Sequence, residues 1–411
     1  MLLRIMLKEI EVAEALKLLL DVPVKLEKET VPIGEALGRV SAEDVTAAIH
    51  FPPFDRSPFD GYAFNSEDIA VASRETPVTL AVNQEIPAGF TPKADVGAGR
   101  AAKILTGAPI PEGADAVVKF EDTEFTKETV TFFAPAKADS NIVHKGEDTK
   151  AGTKILAKGT EIAPAMMGLL ASQGLKTVEV YRRPMISVIN TGNELAELGQ
   201  PLPDGMIYNS SMFTLRGFIQ TMGADFRDGG IVWDDEEKIA ARVRAELTGA
   251  DIVITTGGAS VGDYDCARAA AEHAGADILF WKVRMRPGGS LLAYVLDGKL
   301  VLALSGNPGA AVLGLLLLGM PCVRKRRGLL EVTPEECRVR LAADIRKGSP
   351  KKRIMRGFLE IVDGEAYFVE NKGQGGGDIS SFVNCDLLAE IPASGEPLPA
   401  GTCVKAFRVL K

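Results

Sequence analysis

The spacing of apolar positions changes along the chain, and the changes divide it. Over residues 7 to 20, Ile10, Val12, Ala13, Leu16, Leu19 and Leu20 share one face at helical spacing, which predicts an amphipathic helix. A short helix is expected over 34–38, ending at Gly38. From 76 to 135 the pattern becomes short runs between turn formers, VTLAVN, AAKIL, DAVVKF and VTFF, the mark of an all-β insertion. Helical spacing returns over 163–174, with Pro164 near the start, and 178–181 reads as a strand stopped by Arg182-Arg183-Pro184. From Met185 the two periods alternate: strand ISVIN, helix 211–222, strand 229–233, helix 236–247, strand 252–254, helix 266–274, strand 278–283, a hairpin over 291–303 and a helix over 309–320. Such alternation predicts helices on both faces of a largely parallel sheet. The basic run Arg324-Lys325-Arg326-Arg327 reads as a solvated helix end and linker. Residues 336–411 hold strands and Gly/Pro turns, with Gly373 to Gly377 expected as a flexible loop, and predict a small barrel or sandwich.

Composition narrows the class. A chain of 411 residues exceeds one ordinary domain, and 46% hydrophobic with 25% charged residues is the make-up of a soluble globular protein. A net charge of -8 argues against general nucleic-acid binding. The five cysteines (266, 322, 337, 385, 403) are dispersed without a CxxC, which predicts reduced thiols in a cytoplasmic protein. The three histidines (50, 144, 273) are too far apart to read as a metal site. The apolar run Ala310 to Met320 falls short of the roughly 20 residues a membrane span needs, so no membrane partner is expected.

Candidate chemistry concentrates where predicted strands end. Thr255-Thr256-Gly257-Gly258 closes an apolar strand, and Ser260, Gly262, Asp263 and Asp265 follow. Ligands bind at the carboxyl ends of strands in open α/β sheets; hydroxyls and amides there hold anions, and aspartates hold Mg²⁺. Thr191 to Glu194, Asp234-Asp235 and Ser305 to Pro308 take equivalent places, and Gly306-Asn307-Pro308 is expected to offer helix-start amides to a phosphate. On strand spacing Lys282, Arg284 and Arg286 share one face. Cations facing carboxylates suit a phosphorylated ligand carrying Mg²⁺.

Taken together, SPFDGYAF (57–64), ILTGAPIP (104–111), NIVHKGED (141–148), TGNEL (191–195), TTGGASVGDYD (255–265), FWKVRMRPG (280–288), SGNPGA (305–310) and GQGGGDISSF (373–382) resemble the molybdopterin molybdenumtransferase family, over nearly the whole chain. The resemblance implies multi-domain α/β and β architecture. It comprises a linking α+β domain (1–48 and 148–183), an inserted β domain (49–147), a central three-layer α/β/α domain with a mostly parallel sheet (184–328) and a C-terminal small β barrel (329–411). It implies an elongated homodimer whose site lies between the central domain of one subunit and the β domain of its partner. The implied reaction takes adenylylated molybdopterin and molybdate, or tungstate, and yields molybdenum cofactor and AMP. Carried over motif by motif, the catalytic residues would be Asp60, Thr106, Asp148, Glu194, Asp234 and Asp265, with Mg²⁺ on Asp234 and Asp265. Gly257, Gly258, Ser260, Lys282, Arg286, Gly306, Asn307 and Pro308 would bind substrate. The related adenylyltransferases usually read Gly-Gly-Thr-Gly at the central loop, so Gly-Gly-Ala-Ser resembles the insertase version.

The chain departs from the pattern at one kind of place. Lys-Pro-Gly-Lys-Pro appears as Arg286-Pro287-Gly288-Gly289-Ser290, Leu-Pro-Gly-Asn-Pro-Val-Ser as Leu304 to Ala310, Gln-Gly-Ser as Gln374-Gly375-Gly376, and the basic residue after Asn-Ile as Val143. The losses predict a thinned oxyanion pocket, and they motivate an alternative, a non-catalytic carrier of the pterin cofactor. On the first reading, a lysine restored at 289 should tighten oxyanion binding.

Overall fold

The computed structural model describes residues 7–258 and 266–409. Its centre is a seven-stranded sheet in the order Leu7–Ile10, Asp277–Val283, Leu292–Leu296, Lys299–Leu304, Ile252–Thr256, Met185–Thr191, Asp225–Val232. All neighbouring pairs are parallel except the two made by Leu292–Leu296, which runs against both its neighbours. The inner strands are apolar on both faces because both are covered. Ile186, Val188, Ile252, Ile254, Leu300 and Leu302 pack against helices Val12–Asp21, Ser210–Thr221 and the long helix from Pro308. Val253, Val301 and Ala303 point the other way, onto helices Glu236–Leu247 and Cys266–His273. This is the three-layer domain expected.

The N-terminal expectation needs correcting. Residues 7–10 do not begin a helix; they form a strand on Asp277–Val283, and the helix runs from Val12 to Asp21. A strand partner outweighs helical spacing at its first turn. This first strand and helix therefore belong to the central layers. The linking layer starts with Lys28–Pro32, antiparallel to Thr177–Tyr181, and has its own core of Val31, Leu156, Ile162, Leu170 and Val180.

The basic run is a second correction. Arg326 and Arg327 are buried, Arg327 donates to the Gly38 carbonyl at 2.8 Å and pairs with Glu161, and Lys325 Nζ donates to the carbonyls of Leu20 and Val22. These side chains close the end of one helix and fasten the linking layer to the central one; they are not solvated. The helical stretch Pro308–Arg326 is longer than expected and contains a π turn at Leu315–Gly319. By length and composition it could cross a membrane, but its apolar window is 83% buried inside the protein.

The inserted domain is a six-stranded sheet, Ala116–Lys119, Gly61–Phe64, Arg100–Ile104, Val78–Ile86, Thr129–Phe132, Thr123–Phe125, with an apolar cluster on each face. The C-terminal strands close into a five-stranded barrel. Its Gly373 to Gly377 loop is tied down, contrary to the flexible loop expected. The fully buried Arg356 donates through Nη2 to the carbonyls of Gly373 and Gly375 and through Nε to Ser381 Oγ, at 2.9–3.0 Å. Gln374 bonds the Arg356 backbone on both sides, accepting from its N–H and donating to its carbonyl.

Replacing Lys325 by Met should remove the donor to two helix-end carbonyls and cost about 1–3 kcal/mol. A lower thermal midpoint, with faster amide exchange over residues 12–22, is the expected result.

Candidate active site

The site begins with register. Asn190 stands opposite Thr256, Thr256 opposite Leu304, and Thr191 opposite Val232, so four parallel strands end at one level. The loops after them leave side by side. They are also in backbone contact. Gly257 has φ +95°, and a Cβ there would lie 2.2 Å from the Thr191 carbonyl oxygen. A Cβ on Gly306 would lie 3.2 Å from the Gly257 Cα. Gly257 and Gly306 are thus needed for close approach, whatever they offer a ligand. Gly258, at φ +62°, accepts from the Ala267 N–H at the start of the helix Cys266–His273.

Beneath these loops lies a buried polar floor. Asn190 Nδ2 donates to Thr256 Oγ1, Asn209 Nδ2 to Asn190 Oδ1 at 3.1 Å, and Thr191 Oγ1 to the Thr256 carbonyl at 3.1 Å. Sequence reasoning passed over Asn190 and Asn209. For Asn190 the available signal was an amide at the end of the buried strand run Ile186 to Asn190.

Two carboxylates converge at the outer loops. The Asp234 N–H donates to Asn193 Oδ1 at 3.2 Å, which fixes Asp234 beside Thr191 to Glu194. Asp234 Oδ1 is buried without a hydrogen-bond partner. Burial, and then the nearby Glu194 carboxylate, raise the Asp234 pKa above the usual aspartate range. A buried carboxylate oxygen left unpaired beside a second carboxylate fits a hard divalent cation such as Mg²⁺, which takes one or two protein carboxylates and fills its shell with phosphate and water. Among the described residues no cluster of three acidic, His or Cys ligands forms. Ser260 and Asp265 lie outside the described residues.

The cations gather in a neighbouring cleft of about 470 Å³, lined by Lys282, Arg286, Lys351, Glu9, Ser305, Asn307 and Gly376 among others. The one-face reading of Lys282, Arg284 and Arg286 fails at Arg284. The strand ends at Val283, Lys282 has φ +70°, and Arg284 turns out to pair with Glu11 at 3.6 Å. The barrel supplies Lys351 instead. The helix start expected to offer amides uses some of them internally. Pro308 has no N–H, the Asn307 N–H donates to Ser305 Oγ, and the Ala310 N–H donates to the Gly376 carbonyl at 2.8 Å. Two of the amides at this helix start are thus used inside the protein, and the side-chain cations of the cleft stand beside it.

Three motifs of the β domain meet at one edge. Asp60 Oδ1 accepts from the Thr106 N–H at 2.7 Å and its hydroxyl at 2.8 Å, and these bonds hold its pKa below the usual range. Arg56 exchanges backbone bonds with Val143, and the Asp148 N–H donates to the Phe51 carbonyl. Ile49, Phe51 and Phe54 are exposed beside them. None of Asp60, Thr106 and Asp148 lines the cationic cleft of the same chain.

Family models match in chain order: the MoeA N-terminal region (domain I and II) over residues 10–174, a probable molybdopterin binding domain over 187–325, and the MoeA C-terminal region (domain IV) over 338–408. A molybdopterin molybdenumtransferase of Staphylococcus aureus (strain COL) is 35% identical over 395 residues, 96% of this chain and 94% of that one. That of Bacillus subtilis (strain 168) is 35% identical over 406 residues, 97% and 94%. The chain belongs to the molybdopterin molybdenumtransferase family. It is therefore an enzyme, a transferase of molybdenum cofactor biosynthesis. The fold agrees: the crystal structure of a molybdopterin biosynthesis moeA protein from Pyrococcus horikoshii OT3 superposes with a TM-score of 0.81 at 30% identity, over 97% of this chain and 100% of that one.

Against the molybdopterin molybdenumtransferase pattern, two of the departures, at Gly309 and Gly289, meet backbone crowding. A Cβ on Gly309 would lie 2.9 Å from the carbonyl oxygens of both Gly376 and Asp378. A Cβ on Gly376 would lie 3.7 Å from that of Ala310. Gly309, Ala310 and Gly376 form one seam where the barrel loop presses on the helix start. Gly289 is closed as well: its Cβ would lie 2.6 Å from the carbonyl oxygens of Val283 and Met285. The lysine expected to restore anion binding at 289 has no room.

Gly289→Lys should therefore lower stability by about 1–3 kcal/mol and leave oxyanion affinity no better than wild type, measured by denaturant unfolding and calorimetry. For Asp234 the sign follows from its raised pKa. The neutral form suits the fold, so its stabilising contribution is present at low pH and lost as pH rises through the folded pKa. Asp234→Asn should raise the thermal midpoint at neutral pH while abolishing any further rise on adding Mg²⁺.

Proposed function

We propose that the protein inserts molybdate, or tungstate, into adenylylated molybdopterin and releases AMP, in a site shared between two copies of the chain. The observation that carries the reading is the pairing of an unpartnered buried carboxylate oxygen on Asp234 with a separate cleft of cations, Lys282, Arg286 and Lys351. One region suits a metal on phosphate oxygens, the other a tetrahedral dianion.

In this reading Asp234, with Glu194 beside it and Asp265 as carried over from the family motif, holds Mg²⁺. The ion would neutralise phosphate charge as AMP leaves. Lys282, Arg286 and Lys351 hold the oxyanion, with Ser305 and Asn307 as hydrogen-bond donors near it. Their positive charge stabilises negative charge that develops at the leaving phosphate. The dithiolene sulfurs that receive the metal belong to the substrate, so no protein cysteine acts as nucleophile. Asp60, Thr106 and Asp148 complete the site from a partner subunit. What supports this is that Asp60 and Thr106 bond each other, that Asp148 bonds the exposed Phe51 through its backbone, and that none of the three lines its own chain's cleft. That the five cysteines form no disulfide with one another supports a cytoplasmic setting.

The carrier alternative rested on the missing groups at 289, 310 and 376. Position 289 has no room for a side chain, and the cleft keeps three cations.

Incubating the protein with adenylylated molybdopterin, Mg²⁺ and molybdate should release AMP and yield active cofactor. Pterin binding without AMP release at any oxyanion concentration would reject insertion in favour of a carrier. Product formation that required ATP would revive adenylyl transfer.

A further inference from the structure

Glu9 and Lys282 face one another on the paired strands Leu7–Ile10 and Asp277–Val283, between the Lys8–Trp281 and Ile10–Val283 pairs. Both have left-handed backbones, with φ +57° and +70°. Few residues other than glycine adopt that region, and such outliers gather at functional sites. Here two of them lie at one level of one strand pair, and both side chains line the cationic cleft. Regular strand alternation would have sent successive side chains to opposite faces of the sheet.

Glu9 is a carboxylate among cations. Its Oε1 accepts from Lys351 Nζ at 3.2 Å, and this bond, then the charges of Lys351, Arg284 and Lys282, hold its pKa below the usual range. The pair is open to water, with Lys351 51% and Glu9 45% exposed. An exposed pair of this kind is weak and exchangeable. A dianion in the cleft would repel the Glu9 carboxylate and would compete with it for Lys351.

We propose that Glu9 sets the oxyanion affinity of this cleft: its carboxylate occupies Lys351 until a tetrahedral dianion displaces it. The inference rests on the cleft being the oxyanion site of the reaction proposed above. Lys282 and Arg286 attract the incoming dianion, and Lys351 changes partner from Glu9 to the oxyanion. The device keeps the barrel's lysine positioned while the site is unfilled, at the expense of affinity.

The test is calorimetric titration of the full chain with molybdate and with tungstate. Glu9→Gln removes the charge at nearly constant shape, and Glu9→Gly removes the carboxylate while accepting the left-handed backbone. Both should bind either oxyanion about three- to tenfold more tightly than wild type. In a Lys351→Met background the gain from Glu9→Gln should largely vanish. Equal affinity in wild type and both variants would overturn the inference while leaving the cleft as the oxyanion site. A full gain without Lys351 would overturn displacement at that lysine. Absence of oxyanion binding in every variant would overturn the inference together with the assignment of the cleft.

Discussion

Everything at the site depends on three backbones that touch at Gly257. Parallel pairing brings Asn190, Thr256 and Leu304 to one level, but pairing alone would leave room for side chains between the loops. The contact of Gly257 with Thr191 on one side and Gly306 on the other removes that room. It fixes where the loop to Glu194 and the turn to Asn307 begin. The cost is met below by a buried network of Asn190, Asn209, Thr191 and Thr256, each satisfying another's polar groups.

A second constraint comes from the barrel. The buried Arg356 guanidinium gathers the carbonyls of Gly373 and Gly375, and the loop so held presents the Gly376 carbonyl to the Ala310 N–H. That bond takes an amide which would otherwise be available to an anion. The barrel gives back Lys351, from its own segment beside the cleft. The backbone of that segment continues the join, since the Arg286 N–H donates to the Lys352 carbonyl and the Ile354 N–H to the Arg286 carbonyl. The side-chain cations of the cleft are thereby held across a domain junction.

The sequence was legible wherever one local period decided the outcome. The alternating strands and helices of the central domain, the β insertion and the barrel were all visible as changes of apolar spacing. Failures came where a distant partner overrode local pattern. Leu7 to Ile10 fit a helix face yet pair with a strand some 270 residues away, at Phe280 to Val283. The run Arg324 to Arg327 looks solvated until Leu20, Gly38 and Glu161 are found against it. Arg284 left the cation face because Lys282 is kinked, which no propensity announces. At the site, motifs named Asp60, Thr106, Glu194, Asp234, Lys282 and Arg286. They could not name Glu9, Lys351, Asn190 or Asn209, whose roles exist only through tertiary neighbours. Gly289 shows the reverse error: a missing charge read from the family pattern was a glycine demanded by two carbonyls.

The central claim is that the carboxylates of the β domain and those of the central domain act in one site supplied by two copies. Mixing two inactive variants tests it most directly. Asp60→Asn and Asp234→Asn, each purified alone, should release little AMP from adenylylated molybdopterin. After unfolding-free exchange of subunits, random pairing should restore about a quarter of wild-type turnover, because half the dimers carry one intact site of two. No recovery despite demonstrated mixed dimers, or full activity from a monomeric wild-type protein, would contradict the account.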